Sequence, residues 1–168
     1  MQGINIVRRP LTETEIDLLM EDIKLYPDLI YVKKSRFQKY KDAFILEEAG
    51  SFVGICAVYE TGRWVKLGPL VFLRKHHGKG YGKLLLTKIV SEYSNVNMFI
   101  SSTNIAVQKI ISRLGFKEIA GYLYLPYKMI YFLIGHLYEH IHWKLITEFI
   151  RKLILMKRNS RKFYIKTV

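Results

Sequence analysis

The chain has 168 residues, half of them apolar, with 27 Lys and Arg against 14 Asp and Glu for a net charge of +13. That length suits a single domain spanning 1–168 with a real core, and the composition excludes a disordered or low-complexity chain. The lone Cys56, set in Gly54-Ile-Cys-Ala-Val58, excludes an intrachain disulfide framework and is expected to be a small buried hydrophobe in a reducing, cytoplasmic setting.

In chain order, Ile4 to Arg8 alternates like a short strand that Pro10 ends. Thr12-Glu-Thr-Glu15 has the spacing of a capping box, and Ile16, Leu18, Leu19, Ile23 and Leu25 follow at helical spacing. Tyr26-Pro-Asp breaks that helix, and a short basic helix is predicted over Ser35–Tyr40. Ala43–Ala49 and Phe52–Glu60 are two strands joined by a hairpin turn at Ala49-Gly50-Ser51. A second turn, Thr61-Gly62-Arg63, leads to a third strand, Trp64–Leu73, which Gly68-Pro69 interrupts. A proline there implies a bulge or an unpaired position, so the sheet is expected to splay open at that point.

His77-Gly78-Lys79-Gly80-Tyr81-Gly82 follows that strand and opens a helix with Tyr81, Leu84, Leu85, Ile89 and Tyr93 on one face. Glycines let backbone N–H groups approach a phosphate, and the helix dipole favours negative charge at its N-terminus. Asn97–Ser102 is a buried strand. Thr103-Asn104 begins another helix carrying Val107, Ile110, Ile111 and Leu114 on one face, with Gly115 as its stop. Phe116 to Tyr124 and Lys162 to Val168 are further strands, separated by a greasy helical pattern over 127–158.

The glycine loop, the preceding Leu67-Gly-Pro-Leu70 and the following Asn104…Leu114-Gly115-Phe116 together resemble the acyl-CoA site of the GNAT superfamily of N-acyltransferases. The resemblance covers roughly Ala43 to Phe116. It implies an α/β (α+β) fold with a mixed, mostly antiparallel central sheet, splayed and bulged at Gly68-Pro69 and flanked by helices. The helical pattern before the last strand would be an insertion. It implies acetyl transfer from acetyl-CoA to a primary amine by direct attack. On the same resemblance, His77, Gly78, Lys79, Gly80, Tyr81, Gly82 and Lys83 hold the pyrophosphate. Leu70, Val71, Phe72 and Leu73 pair with the pantetheine arm, Asn104 contacts the cofactor, and the Leu70 backbone N–H donates to the developing oxyanion.

Three positions depart from the family pattern. His77 stands for an Arg or Gln, and Val107 stands for a frequent Ala. Ile111 replaces a Tyr that often protonates the departing thiolate. Ser112, Tyr59 and Tyr124 are the other hydroxyls to weigh, or the thiolate leaves unaided, as a thiol of pKa ~8.5 permits. Trp64–Leu73 carries no acid, so Glu60 is the first candidate for general base, with Glu47 and Glu48 behind it. A solvated turn residue is the plainer role for any one of them. A CoA-binding module without chemistry therefore stands as an alternative.

The N-terminus lacks the apolar core of a signal peptide, and Met129–Tyr138 falls short of the ~20 residues a membrane span takes. Basic clusters at Lys33–Lys41 and in the tail, where seven Lys and Arg follow Glu148, suit a polyanion such as RNA, an anionic membrane surface, or a solvated face. An RNA-borne acceptor such as aminoacyl-tRNA is a third functional reading. The 127–158 pattern fits a core helix, a homodimer interface or peripheral membrane contact, in that order. His136-Leu-Tyr-Glu139-His140 resembles a zinc string but lacks a third ligand, so no metal is expected. The acceptor pocket is expected from Leu11–Tyr40 and the tail, with Asp28 able to hold an ammonium or cap a turn.

Overall fold

Seven strands form one sheet in the order β1-β2-β3-β4-β5-β7-β6 in the computed structural model, which describes residues 3–25, 34–120, 130 and 161–168. The strands are β1 Ile4–Arg9, β2 Ala43–Glu48, β3 Ser51–Thr61, β4 Trp64–Phe72, β5 Asn97–Ser102, β6 Lys117–Ile119 and β7 Lys162–Lys166. Every pairing is antiparallel except β4 with β5, which is parallel. The helices are α1 Glu13–Ile23, α2 Lys34–Gln38, α3 Tyr81–Glu92 and α4 Ile105–Arg113. The mixed, mostly antiparallel sheet flanked by helices is the architecture that the resemblance implied.

Local chemistry accounts for most boundaries. The Thr12 side chain accepts from the Glu15 amide while the Glu15 carboxylate accepts from the Thr12 amide, the reciprocal bonds of a capping box. Ala49 and Gly50 both take positive φ, as a two-residue hairpin turn between right-twisted strands requires. Asn104 caps α4 by accepting from the Ala106 and Val107 amides.

Two apolar layers cover the sheet. Phe44, Leu46, Cys56, Val65, Leu67, Met98 and Ile100 pack on the α3 and α4 side; Ala43, Ile45, Ile55, Ala57 and Val71 pack on the α1 and α2 side. The helix stripes differ in part from their spacing-based expectation. In α1 the buried apolar residues are Ile16, Leu19, Met20 and Ile23, whereas Leu18 and, past the helix end, Leu25 are exposed; in α3 Leu86 and Val90 are buried and Leu84 sits at the edge. Spacing finds the centre of a stripe, but the tilt of the helix on its sheet decides which flanking residue is covered. Cys56 is fully buried, and burial pushes its thiol up to about 12.

A 3₁₀ turn, Arg74–His76, links β4 to the glycine loop and was not legible in the sequence. Aside from Ile130, the predicted insertion at 127–158 with its dimer and membrane readings lies outside the described residues, as do Tyr26–Tyr31, Tyr124 and the His136/His140 pair. Among the described residues no helix is long and apolar enough to cross a membrane.

Candidate active site

Gly68 and Pro69 form the extra step in β4. Cys56 opposes Leu70 and Val58 opposes Leu67, so two residues of β4 face one of β3. A one-residue bulge inverts which face each side chain meets. Before it, Val65 and Leu67 face the α3 and α4 layer; after it, Leu70 and Phe72 do, while Val71 and Leu73 turn to the α1 and α2 layer. Pairing with β5 covers Trp64–Leu67 against Asn97–Ile100 and stops at the bulge, while pairing with β3 continues to Phe72. The sheet therefore parts between β4 and β5 from Gly68 onward.

The amides along that edge can be assigned. Leu73 N–H donates to Val53 O at 2.9 Å, toward β3. Successive peptide groups alternate sides in a strand, so Val71 also points to β3, and Leu70 and Phe72 point into the opening. The His77 ring Nε2 lies 3.2 Å from Phe72 O on that same side.

The glycine loop abuts this edge. Gly78 and Gly80 take φ of 78° and 82°, and a Cβ at either would meet nothing within 4 Å. Gly80 is the N-cap of α3 and has no side-chain cap bond. The first-turn amides of Tyr81, Gly82 and Lys83 have no acceptor within the helix, which leaves them for an anion. A Cβ added at Gly82 would lie 3.6 Å from Phe72 Cε2, in ordinary van der Waals contact, so the first turn of α3 sits against the end of β4.

Glu48, ranked behind Glu60 in the sequence, is the acid that reaches this loop. It accepts from the Tyr81 hydroxyl and, at 3.4 Å, from Lys79 Nζ, with His76 Nδ1 also 3.4 Å away. The Tyr81 bond first, then Lys79, holds its carboxyl below the usual range. The carboxylate anchors the loop from the end of β2 while Lys79 keeps a cation over the loop. The link joins residues 33 apart, which no local signal announces.

Glu60 is placed elsewhere. It accepts from Arg8 at 3.1 Å and from the Tyr93 hydroxyl at 2.6 Å, at the C-terminal end of α3. The glycine loop is at the other end of that 12-residue helix, about 18 Å away at 1.5 Å per residue. Glu47 is engaged by Arg9 at 2.9 Å. Ser112 donates to Gln108 O at 3.0 Å and lines a surface depression with Glu118, Lys162 and Tyr164, on the β6 and β7 side of β5 and away from β4. Ile111 is 1% exposed, part of the core. The structure thus places Leu70–Leu73 beside His77–Lys83, keeps Asn104 as the N-cap of α4 just past the end of β5, and brings neither Glu60 nor Ser112 to the loop.

Lys66 is a residue the sequence reading passed over. The bulge parity puts it on the α1 and α2 side, just below the parting of β4 and β5. Its Nζ donates to Gly68 O at 3.3 Å and lies 5.2 Å from the Tyr59 ring centroid. Burial first, then the positive charges of Arg36 and Arg161, push its ammonium down to about 8. The sign is that of a disfavoured cation. Between pH 8 and 10.5 the unfolded chain holds a proton that the folded chain has lost, so stability rises with pH across that window. Urea unfolding should show a gain on the order of 2 kcal/mol from pH 7.5 to 10.5 that Lys66→Met removes. A flat difference between the two proteins would refute it.

A family model described as an acetyltransferase (GNAT) domain matches residues 26–124. Among solved structures, N-acetylglutamate synthase from Neisseria gonorrhoeae, complexed with coenzyme A and N-acetyl-glutamate, aligns with a TM-score of 0.68 at 16% identity. The alignment covers 99% of this chain and 35% of that one, so this chain spans about a third of that enzyme's length. The ribosomal-protein-S18-alanine N-acetyltransferase from Escherichia coli aligns at 0.62 and 13% identity over 96% of this chain and 90% of that chain. A Salmonella typhimurium protein solved with its cofactor acetyl-CoA aligns at 0.56 and 17% identity over 71% and 82%. At these identities the structures speak for the fold. No curated protein matches the sequence.

Proposed function

Because the chain belongs to the GNAT acetyltransferase family, we propose that it transfers an acetyl group from acetyl-CoA to a primary amine by direct attack. The observation that carries this reading is the opening of the sheet at Gly68-Pro69, with two outward amides on one wall and the glycine loop at its end. Acetyl-CoA supplies the activated acetyl group as a thioester.

The residues present fit that molecule. The amides of Tyr81, Gly82 and Lys83, with Lys79 beside them, hold a diphosphate. The edge groups of Leu70 and Phe72 match the amides of a pantetheine arm as an added strand would. The Leu70 N–H, fixed by the β3–β4 ladder, is the donor for negative charge building on the carbonyl oxygen. A preorganised donor of this kind lowers the barrier by about 3–4 kcal/mol. With Ile111 in the core, no side-chain acid stands at that helix position, and the thiolate is its own adequate leaving group.

Acetyl-CoA at about 100 times its Kd should stabilise the fold by about 2.7 kcal/mol, a rise in Tm of roughly 5–10 °C. An amine panel read by release of free CoA then tests turnover. No Tm shift at millimolar acetyl-CoA would refute the donor assignment. A shift without CoA release from any amine would leave a binding module.

A further inference from the structure

The two parts of the donor site are joined by one short link. Leu70 and Phe72 turn their amides into the opening from the end of β4, and the first-turn amides of α3 begin at Tyr81. Leu73–Gly80 runs between them. A molecule that contacts both parts gains from the second contact only when their spacing is fixed, because slack between two linked sites dilutes the effective concentration of one at the other.

Within the link, the His76 amide donates to Leu73 O at 2.9 Å and the His77 amide to Arg74 O at 3.1 Å, which closes one 3₁₀ turn. The N-cap of that turn, Leu73, gives no side-chain cap bond. Gly78 and Gly80 follow, both at positive φ, and glycine carries more backbone freedom than any other residue.

Two carboxylates from other elements hold the link at its ends. At the start, Asp22 in the last turn of α1 accepts from the Arg74 backbone N–H, 52 residues away, and supplies the cap that Leu73 cannot. At the finish, Glu48 on β2 accepts from the Tyr81 hydroxyl and from Lys79 Nζ at 3.4 Å. Lys79 Nζ also lies 5.8 Å from the Tyr81 ring centroid, so cation and ring stay together. Both carriers are themselves fixed. Leu19 and Ile23 bury that turn of α1 in the core, and Glu48 pairs with Ile4 on one side and Ser51 on the other. Hydrogen bonds to an ionised carboxylate are stronger than those between neutral groups. A carboxylate repels a diphosphate, so both acids are suited to act through the link and not by touching the donor.

We propose that Asp22 and Glu48 are positioning residues for acetyl-CoA. They clamp Leu73–Gly80 from its two ends and so fix the spacing between the Leu70 and Phe72 edge and the first turn of α3. The proposal rests on the acetyl-CoA reading and adds to it a role for two acids that stand off the ligand.

The sign of the effect tests it. Removing either acid makes the protein more positive, so Coulomb attraction alone predicts that acetyl-CoA binds equally well or tighter. The clamp predicts the reverse. Asp22→Ala and Glu48→Ala should each raise the Kd for acetyl-CoA, read by calorimetry on the folded proteins, by about tenfold or more. Asp22→Asn keeps an oxygen for the Arg74 N–H and should stay within about threefold of the wild type. Asp17→Ala, on the same helix but paired with Lys34, makes the same change of charge and should leave the Kd unchanged. Should Glu48→Ala fail to fold, Glu48→Gln still accepts from Tyr81 but loses its ion pair with Lys79, and it should weaken binding, not tighten it. Adenosine 3′-phosphate 5′-diphosphate, the part of the donor that carries the diphosphate without the arm, should bind all the folded proteins within about threefold, because it uses one part of the site only.

Binding of acetyl-CoA by Asp22→Ala and Glu48→Ala as tight as by the wild type overturns the clamp and leaves the donor reading standing. An equal loss for acetyl-CoA and for the diphosphate fragment also overturns it, since the acids then shape the loop and not the spacing. A wild type that binds no acetyl-CoA refutes the donor reading, and the clamp with it.

Discussion

Gly80→Glu is expected to abolish the stabilisation by acetyl-CoA while leaving the fold intact. Gly80 holds a φ of 82° as the N-cap of α3, and a Cβ there meets no atom within 4 Å. The substitution therefore has room, and its direct cost is the left-handed backbone, about 1–2 kcal/mol. Its effect on binding is much larger. A carboxylate would project over the amides of Tyr81, Gly82 and Lys83, where an anion gains both the helix dipole and three donors. It would replace attraction by like-charge repulsion at the diphosphate. Gly62→Glu is the matched control: Gly62 also has positive φ, at 59°, and open space, but lies in the β3–β4 turn. The two variants should lose similar stability, and only Gly80→Glu should lose the Tm response. An equal response in both would refute the loop assignment.

Gly54→Ala should be among the most damaging single-methyl changes in the protein. A Cβ at Gly54 would sit 2.4 Å from Phe72 Cδ1, 2.5 Å from Val71 O and 2.7 Å from Phe72 Cα. Turning the Phe72 ring relieves only the first contact, because the other two are backbone. β3 and β4 would have to separate where the ladder holds the open edge in place. Overpacking against fixed backbone should cost about 3 kcal/mol or more, a fall in Tm of roughly 6–12 °C. The surviving protein should also bind acetyl-CoA more weakly, since Leu70 and Phe72 present their amides from the displaced segment. A loss under about 1 kcal/mol in urea unfolding would show that β4 can yield there.

The parts legible in the sequence were those whose causes are close in the chain. The Thr12–Glu15 capping box spans three residues, the Ala49-Gly50 turn spans two, and the Asn104 cap spans three, so each is written in a short window. The glycine loop belongs to the same class, as does the expectation that Pro69 breaks β4 from its neighbour. The misplaced general base shows the opposite case. Glu60 lies close in sequence to the opening, yet Arg8, 52 residues away, and Tyr93, 33 residues away, hold it at the wrong end of α3. Glu48 becomes the loop's anchor through Tyr81, again 33 residues distant.

By itself, then, the sequence determined that this chain carries a glycine-rich loop at a helix start beside a broken strand, because those features depend on backbone conformations that glycine, proline and capping side chains set locally. Only the tertiary structure decided which groups face the opening. The bulge inverts the parity of β4, sending Lys66 to the α1 and α2 side and the amides of Leu70 and Phe72 to the free edge. The charges that surround Lys66 come from positions 36 and 161, and Coulomb interactions depend on distance in space, which strand order sets and sequence separation does not.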